Sequence, residues 1–296
     1  MTTRTLSPNP KTTEQGTRQD ILRQVLVVAG FVTVIVGNTV AEAVPINAQT
    51  SAEISNRLPI LITPANYAFA IWGAIWLGLA AFSLFQALPA QRTNPTLRKI
   101  GYPFVLSCVL NVVWLVIFHF NSYLLSCFII GGLAATLAWI YLQVGVGRKA
   151  VSAVERWCTH VPFSLYLGWV SVATIVNIAY TLYDSGFRPD KATQEGLTVM
   201  MLGIAAVLGT LFVFRHKEIA LIGAFIWAFT AIGNAQTGVV LGTNGSAMVT
   251  TAAFALAAGL ALIVVLSQGM TWLNTARAAQ PVVVGRRSIT TPDRRG

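Results

Sequence analysis

SYLLSCFIIGGLAATLAWIYLQV, from Ser122 to Val144, contains no charged side chain, and it lies between the turn at His119 to Ser122 and the basic pair Arg148 and Lys149. A helix needs roughly 20 apolar residues to cross a hydrocarbon core about 30 Å thick. This stretch meets that requirement and cannot be a soluble amphipathic helix, because no polar face interrupts it. Seven more runs of this kind stand near 22-44, 65-88, 101-119, 159-183, 197-214, 219-237 and 247-268. The expected fold is therefore all-α: a polytopic membrane bundle of eight transmembrane helices.

Composition agrees. Hydrophobic residues make up 55% and charged residues 10% of the chain, against about 25% charged in soluble domains. The division expected along the chain is a disordered N-terminal segment (1-20), a five-helix unit (21-185), a three-helix C-terminal extension (196-270) and a disordered basic tail (271-296). A signal peptide is disfavoured for the first span, whose apolar stretch exceeds the usual 7 to 15 residues.

The net charge of +10 would suggest nucleic acid in a soluble protein. Here its distribution explains it without that partner. With eight spans, every Lys and Arg except Arg57, Arg188 and Lys191 falls on one side, in the loops at Arg92, Arg98, Lys99, Arg148, Lys149, Arg156, Arg215 and Lys217 and in both termini. That asymmetry is the positive-inside pattern of an even span count with both ends in the cytoplasm. The expected location is the cytoplasmic (inner) membrane of a bacterium.

Polar and aromatic residues within the spans are the informative minority, because each must find a partner or line a cavity. At 100° per residue, Tyr166, Trp169, Ala173, Asn177 and Tyr180 share an arc of about 80° on the fifth span. Asn111, Trp114 and Phe118 share one of about 60° on the third. Phe69, Trp72 and Trp76 line one side of the second, with Ala70, Ala74 and Gly78 opposite. Three helices with aromatic faces suit a pocket for a flat apolar ligand. The alternative is structural: an intramembrane Asn more often joins helices than holds a ligand, and Trp139, Trp157, Trp272 and Tyr183 suit an interfacial belt. The small residues of the last span, such as Ala252, Ala255 and Gly259, allow close helix packing and suit a homodimer.

Two strings carry a resemblance. N-x-x-W-x-x-x-F at Asn111, Trp114 and Phe118, and W-V-x-V-A-T-x-V-N from Trp169 to Asn177, resemble the third and fifth helices of the TspO/MBR family of translocator and tryptophan-rich sensory proteins. Pro64 to Phe69, leading into Trp72, is similar to that family's approach to its second helix. The resemblance covers residues 22 to 183. It implies a five-helix unit binding tetrapyrroles and other flat lipophilic molecules, with Tyr67, Phe69, Asn111, Trp114, Trp169, Ala173 and Asn177 as pocket residues. The facial argument adds Trp72, Trp76 and Tyr166. Ala65, Leu115 and the early Trp72 depart from the family pattern and leave ligand identity open. Trp227, Asn234 and Gln236 faintly echo Trp169 and Asn177.

Other chemistries fare worse. No lysine lies within a span for a retinal Schiff base, and His119, His160 and His216 sit at span ends rather than facing one another for haem ligation. No phosphate-binding loop or hydrolase motif occurs, and Cys108, Cys127 and Cys158 have no metal-binding or disulfide spacing. The expectation is a non-enzymatic receptor that requires no cofactor and takes a tetrapyrrole as ligand. A secondary transporter is the first alternative, set back because Glu42 and Asp184 lie at span ends rather than at the midplane. A pigment-degrading enzyme is the second.

Overall fold

A computed structural model describes residues 10–44, 46–216, 219–238 and 245–278. All regular structure among them is helical. Eight long helices dominate: α1 (Pro10–Ala43), α2 (Ile71–Ala87), α3 (Pro95–His119), α4 (Tyr123–Val144), α5 (Val161–Asp184), α6 (Lys191–His216), α7 (Ala220–Gln236) and α8 (Ala247–Ala278). Seven helical stretches are long and apolar enough to cross a membrane, while α7 is apolar but only 17 residues long. Large apolar side chains such as Leu77 (75% exposed) and Phe128 (71%) point outward, which is tolerable where the surroundings are lipid.

Helix α5 is the hub. It packs on α2, α4 and α7, while α1 lies against α2 and α3, and α6, α7 and α8 pack on one another. Phe82, Phe104 and Phe163 meet edge to face where α2, α3 and α5 converge, with ring centroids 4.8 to 5.9 Å apart. Close approach depends on small residues. A Cβ on Gly78 of α2 would lie 3.0 Å from Pro162 of α5, and one on Gly168 of α5 would lie 2.7 Å from the Leu221 carbonyl oxygen of α7. Pro162 has no N–H to continue the helical ladder, and just before it Arg156–His160 form a π turn in which the Val161 N–H reaches back to Arg156.

Several boundaries differ from expectation. Residues 10–20, expected to be disordered, continue α1. Further along this polar stretch the helix is held in the bundle: Asp20 is buried and accepts from Arg98 Nε at 2.8 Å. Buried Arg23 donates to the carbonyls of Leu97 (3.2 Å) and Arg92 (2.9 Å), and Gln24 donates to that of Gln86 (2.6 Å). Helix α8 likewise runs on to Ala278, past the expected start of the tail at 271. Residues 1–9, 279–296, Lys217 and Glu218, and the side chains of Trp272 and Arg277, lie outside what is described.

The third span extends beyond its apolar run at 101-119. Helix α3 has 25 residues, because the Asn94 side chain accepts from the N–H groups of Thr96 and Leu97 and starts it at Pro95. Helix α2 starts later than the apolar run from residue 65 implies. The Ala65 N–H bonds to the Ala231 carbonyl of α7 at 3.0 Å, so a short 3-10 turn, Asn66–Ala70, intervenes before Ile71.

Candidate ligand-binding site

Between α1, α2, α3 and α5, beside the loop that joins α1 to α2, lies a cavity of about 660 Å³. Of the ten expected site residues, Phe69, Trp72, Trp76, Trp114, Trp169, Ala173 and Asn177 line it. Trp72 and Trp76 stack at 4.8 Å between ring centroids with planes 16° apart, and Trp114 and Phe118 stack at 5.4 Å and 22°. Trp169 meets Phe69 and Trp72 edge to face at 6.4 and 6.5 Å. Rings one turn apart on α2 and on α3 thus form slabs, and Trp169 of α5 closes the angle with α2.

Three expected residues do not line the cavity. Asn111 and Tyr166 are buried and bond to each other, the amide Nδ2 donating to the phenol oxygen at 3.0 Å. Asn111 Oδ1 also accepts from Asn38 Nδ2 of α1 at 2.9 Å. The pair therefore joins three helices and has little capacity left for a ligand. Tyr67 is drawn to α7, where its hydroxyl accepts from Asn234 Nδ2 at 2.6 Å and its ring meets Trp227 at 5.3 Å.

Two residues of the cavity wall carry buried donors without partners. Trp114 Nε1 and Asn177 Nδ2 are buried, and neither makes a hydrogen bond. They are not equivalent. Ser126 has one hydroxyl proton for two acceptors, the Tyr123 carbonyl at 2.8 Å and Asn177 Oδ1 at 3.1 Å. Turning the Asn177 amide over satisfies both contacts and leaves an oxygen, not an N–H, as the unpartnered atom. Asn177 can therefore adapt to donor or acceptor. The Trp114 indole is a donor only, and it calls for an acceptor.

Sequence reasoning missed the α1 side and the loop. Asn38, Thr39, Glu42 and Ala43, together with Ser51, Ala52 and Ser55 of a short helix Ser51–Ser55, complete the lining. The signal available was the polar cluster Asn38, Thr39 and Glu42 closing an otherwise apolar run. Phe118 and Tyr180 also line the cavity, and both lay on aromatic faces that were recognised. The loop is tied down at this end: Tyr180 donates to the Ser55 carbonyl, and the Thr63 and Tyr180 hydroxyls lie 3.5 Å apart. Thr50 caps the short helix, and its backbone N–H and hydroxyl hold the Glu53 carboxyl below the usual range.

Helices that shield one another's polar groups, apolar surfaces turned outward and an aromatic hollow among them define a multi-pass integral membrane protein with an aromatic-walled cavity. The family model described as TSPO-like protein matches residues 24–266, and the chain belongs to that family. The match runs through α6, α7 and most of α8 as well as the first five helices. No curated protein and no solved structure matches the chain. Family membership points to a membrane protein of the binding or sensing kind.

Proposed function

We propose that this protein is a membrane receptor for a planar, mostly apolar molecule with at least one hydrogen-bond acceptor, a tetrapyrrole being the type of ligand the family relationship suggests. The observation that carries the reading is a cavity walled by stacked aromatic rings, with the buried, unpartnered indole N–H of the wall residue Trp114 beside it. A buried donor left unbonded costs about 1 to 3 kcal/mol, and a ligand carbonyl or ring acceptor recovers that energy on binding. The cavity volume of about 660 Å³ is within the range of about 300 to 1,000 Å³ typical of drug-sized ligands. Rings on α2, α3 and α5 would sandwich the apolar body.

Porphyrin titration of the purified protein, followed by tryptophan fluorescence quenching, tests this. Trp169→Ala is expected to weaken binding about tenfold or more, the loss of about 1.4 kcal/mol or more. Trp114→Phe keeps a ring but removes the donor, and should cost about fivefold. Trp157→Phe is the control, its indole being 67% exposed. Equal affinities for all three variants and the wild type would remove the receptor reading.

A further inference from the structure

The charge around the cavity bears on which flat molecules it accepts, a question that rests on the receptor reading above. The lining contains one carboxylate, Glu42, and no Lys, Arg or His among the described residues. Glu42 lies in the last turn of α1, where its carboxylate accepts from Ser51 Oγ and no basic residue offsets the helix end. Glu53 adds a second carboxylate on the neighbouring short helix. Arg57, the loop's only basic residue, donates to Gln49 and, like Glu53, does not line the cavity, so these two loop charges offset each other and Glu42 is left as the charge on the lining.

Magnitudes decide the sign. The C-terminal pole of α1 carries about half a negative charge, which adds to the full charge of Glu42. The contrary partial charge comes from the turn at Asn66 that leads into α2, and a helix N-terminus is worth at most about half a positive charge. The balance at the mouth is negative. Deeper in the cavity, the aromatic faces are also electron-rich.

We infer that the cavity selects neutral or cationic flat amphiphiles over dicarboxylates, with Glu42 at the mouth as the selectivity-determining residue and Trp114 taking the ligand's buried acceptor. A macrocycle whose acidic side chains are esterified or replaced by amines fits this arrangement. The free diacid of the same ring brings two anions toward a carboxylate. Because Glu42 is exposed, its effect is that of a solvent-screened pair, about two- to fivefold in affinity, and it shrinks as salt is raised.

The experiment uses the full chain in a detergent with uncharged headgroups and three forms of one ring: protoporphyrin IX as the diacid, as its dimethyl ester and as an amide bearing two primary amines. Each is titrated against wild type, Glu42→Gln, Glu42→Lys and Trp114→Phe. Comparing variants with the same probe cancels differences in micelle partitioning. Glu42→Gln should weaken the amine form about two- to fivefold and tighten the diacid by a similar factor, leaving the ester unchanged. Glu42→Lys should enlarge both effects. Identical affinities of each charged probe for wild type and Glu42→Lys would overturn the selectivity inference alone. Binding that ignores Trp114→Phe as well, or no binding of any form, would overturn the receptor reading with it.

Discussion

Tyr166 and Asn111 illustrate how a residue can be placed correctly on a face and still be used for something other than ligand binding. Both sit on the aromatic faces that helical spacing defines, yet their polar atoms are paired with each other and with Asn38. Tyr166→Phe leaves Asn111 Nδ2 without its acceptor and should lower stability by about 1 kcal/mol, the size of one interhelical hydrogen bond. Thermal unfolding in detergent would measure this, with porphyrin affinity changing less than twofold; a larger loss of affinity with unchanged stability would return Tyr166 to the binding surface. Sequence spacing revealed Trp114 and Trp169 because the angle between residues on one helix is fixed by geometry. It could not reveal that Asn111 was already bonded, since the partner Asn38 comes from another helix far away in the chain. For the same reason Asp20 read as part of a polar end, although Arg98 of α3 lies beside it.

At the scale of elements, two attachments tie α7 to the first five helices, one to α5 and one to the segment that leads into the cavity helix α2. Its contact with α5 depends on Gly168, where an added Cβ would fall 2.7 Å from the Leu221 carbonyl and 2.9 Å from the Ala224 Cβ. Backbone cannot yield as a flexible side chain does, so Gly168→Val should cost about 1 to 3 kcal/mol, seen as a lowered unfolding temperature. The second attachment is polar. Trp227 Nε1 donates to the Ala68 carbonyl at 2.9 Å and Gln236 Nε2 to that of Leu61 at 2.9 Å, alongside the backbone bond from Ala65 to Ala231. These bonds anchor the stretch that carries Pro64, Asn66 and Phe69 into the cavity wall. Trp227→Phe should speed amide hydrogen exchange in residues 61–70 about fivefold, corresponding to about 1 kcal/mol; unchanged exchange there would mean the segment is held without α7. Helix existence was legible throughout because apolar runs are long, whereas starts and stops were not. The late start of α2 depends on an acceptor supplied by α7, and the π turn before α5 on how the chain accommodates Pro162.

For the molecule as a whole, the number of crossings depends on α7. At 17 residues and 1.5 Å per residue its length is about 25 Å, short of a core about 30 Å thick. Its contacts argue that it crosses nonetheless. Leu221 and Ala224 near its start meet Gly168 in the first half of α5, while Gln236 at its end reaches Leu61, in the loop that Thr63 ties to Tyr180 near the end of α5. Helix α7 thus runs in the same direction as α5 and ends level with it. A deficit of about 5 Å is absorbed by local thinning at a fraction of a kcal/mol per Å, and Arg215, in the last turn of α6 before it, has a long side chain able to reach the headgroups. With α7 crossing, the count is eight and the basic loops share one face, as the positive-inside rule requires. Single cysteines test this once Cys108, Cys127 and Cys158 have been replaced: Arg215→Cys and Thr237→Cys flank α7, and both positions are exposed. A membrane-impermeant maleimide applied to intact cells should label Thr237→Cys and Gly186→Cys, and should reach Arg215→Cys and Arg148→Cys only after permeabilisation. Labelling of Arg215→Cys and Thr237→Cys from the same side would make α7 a re-entrant element, leave seven crossings and place the two termini on opposite faces.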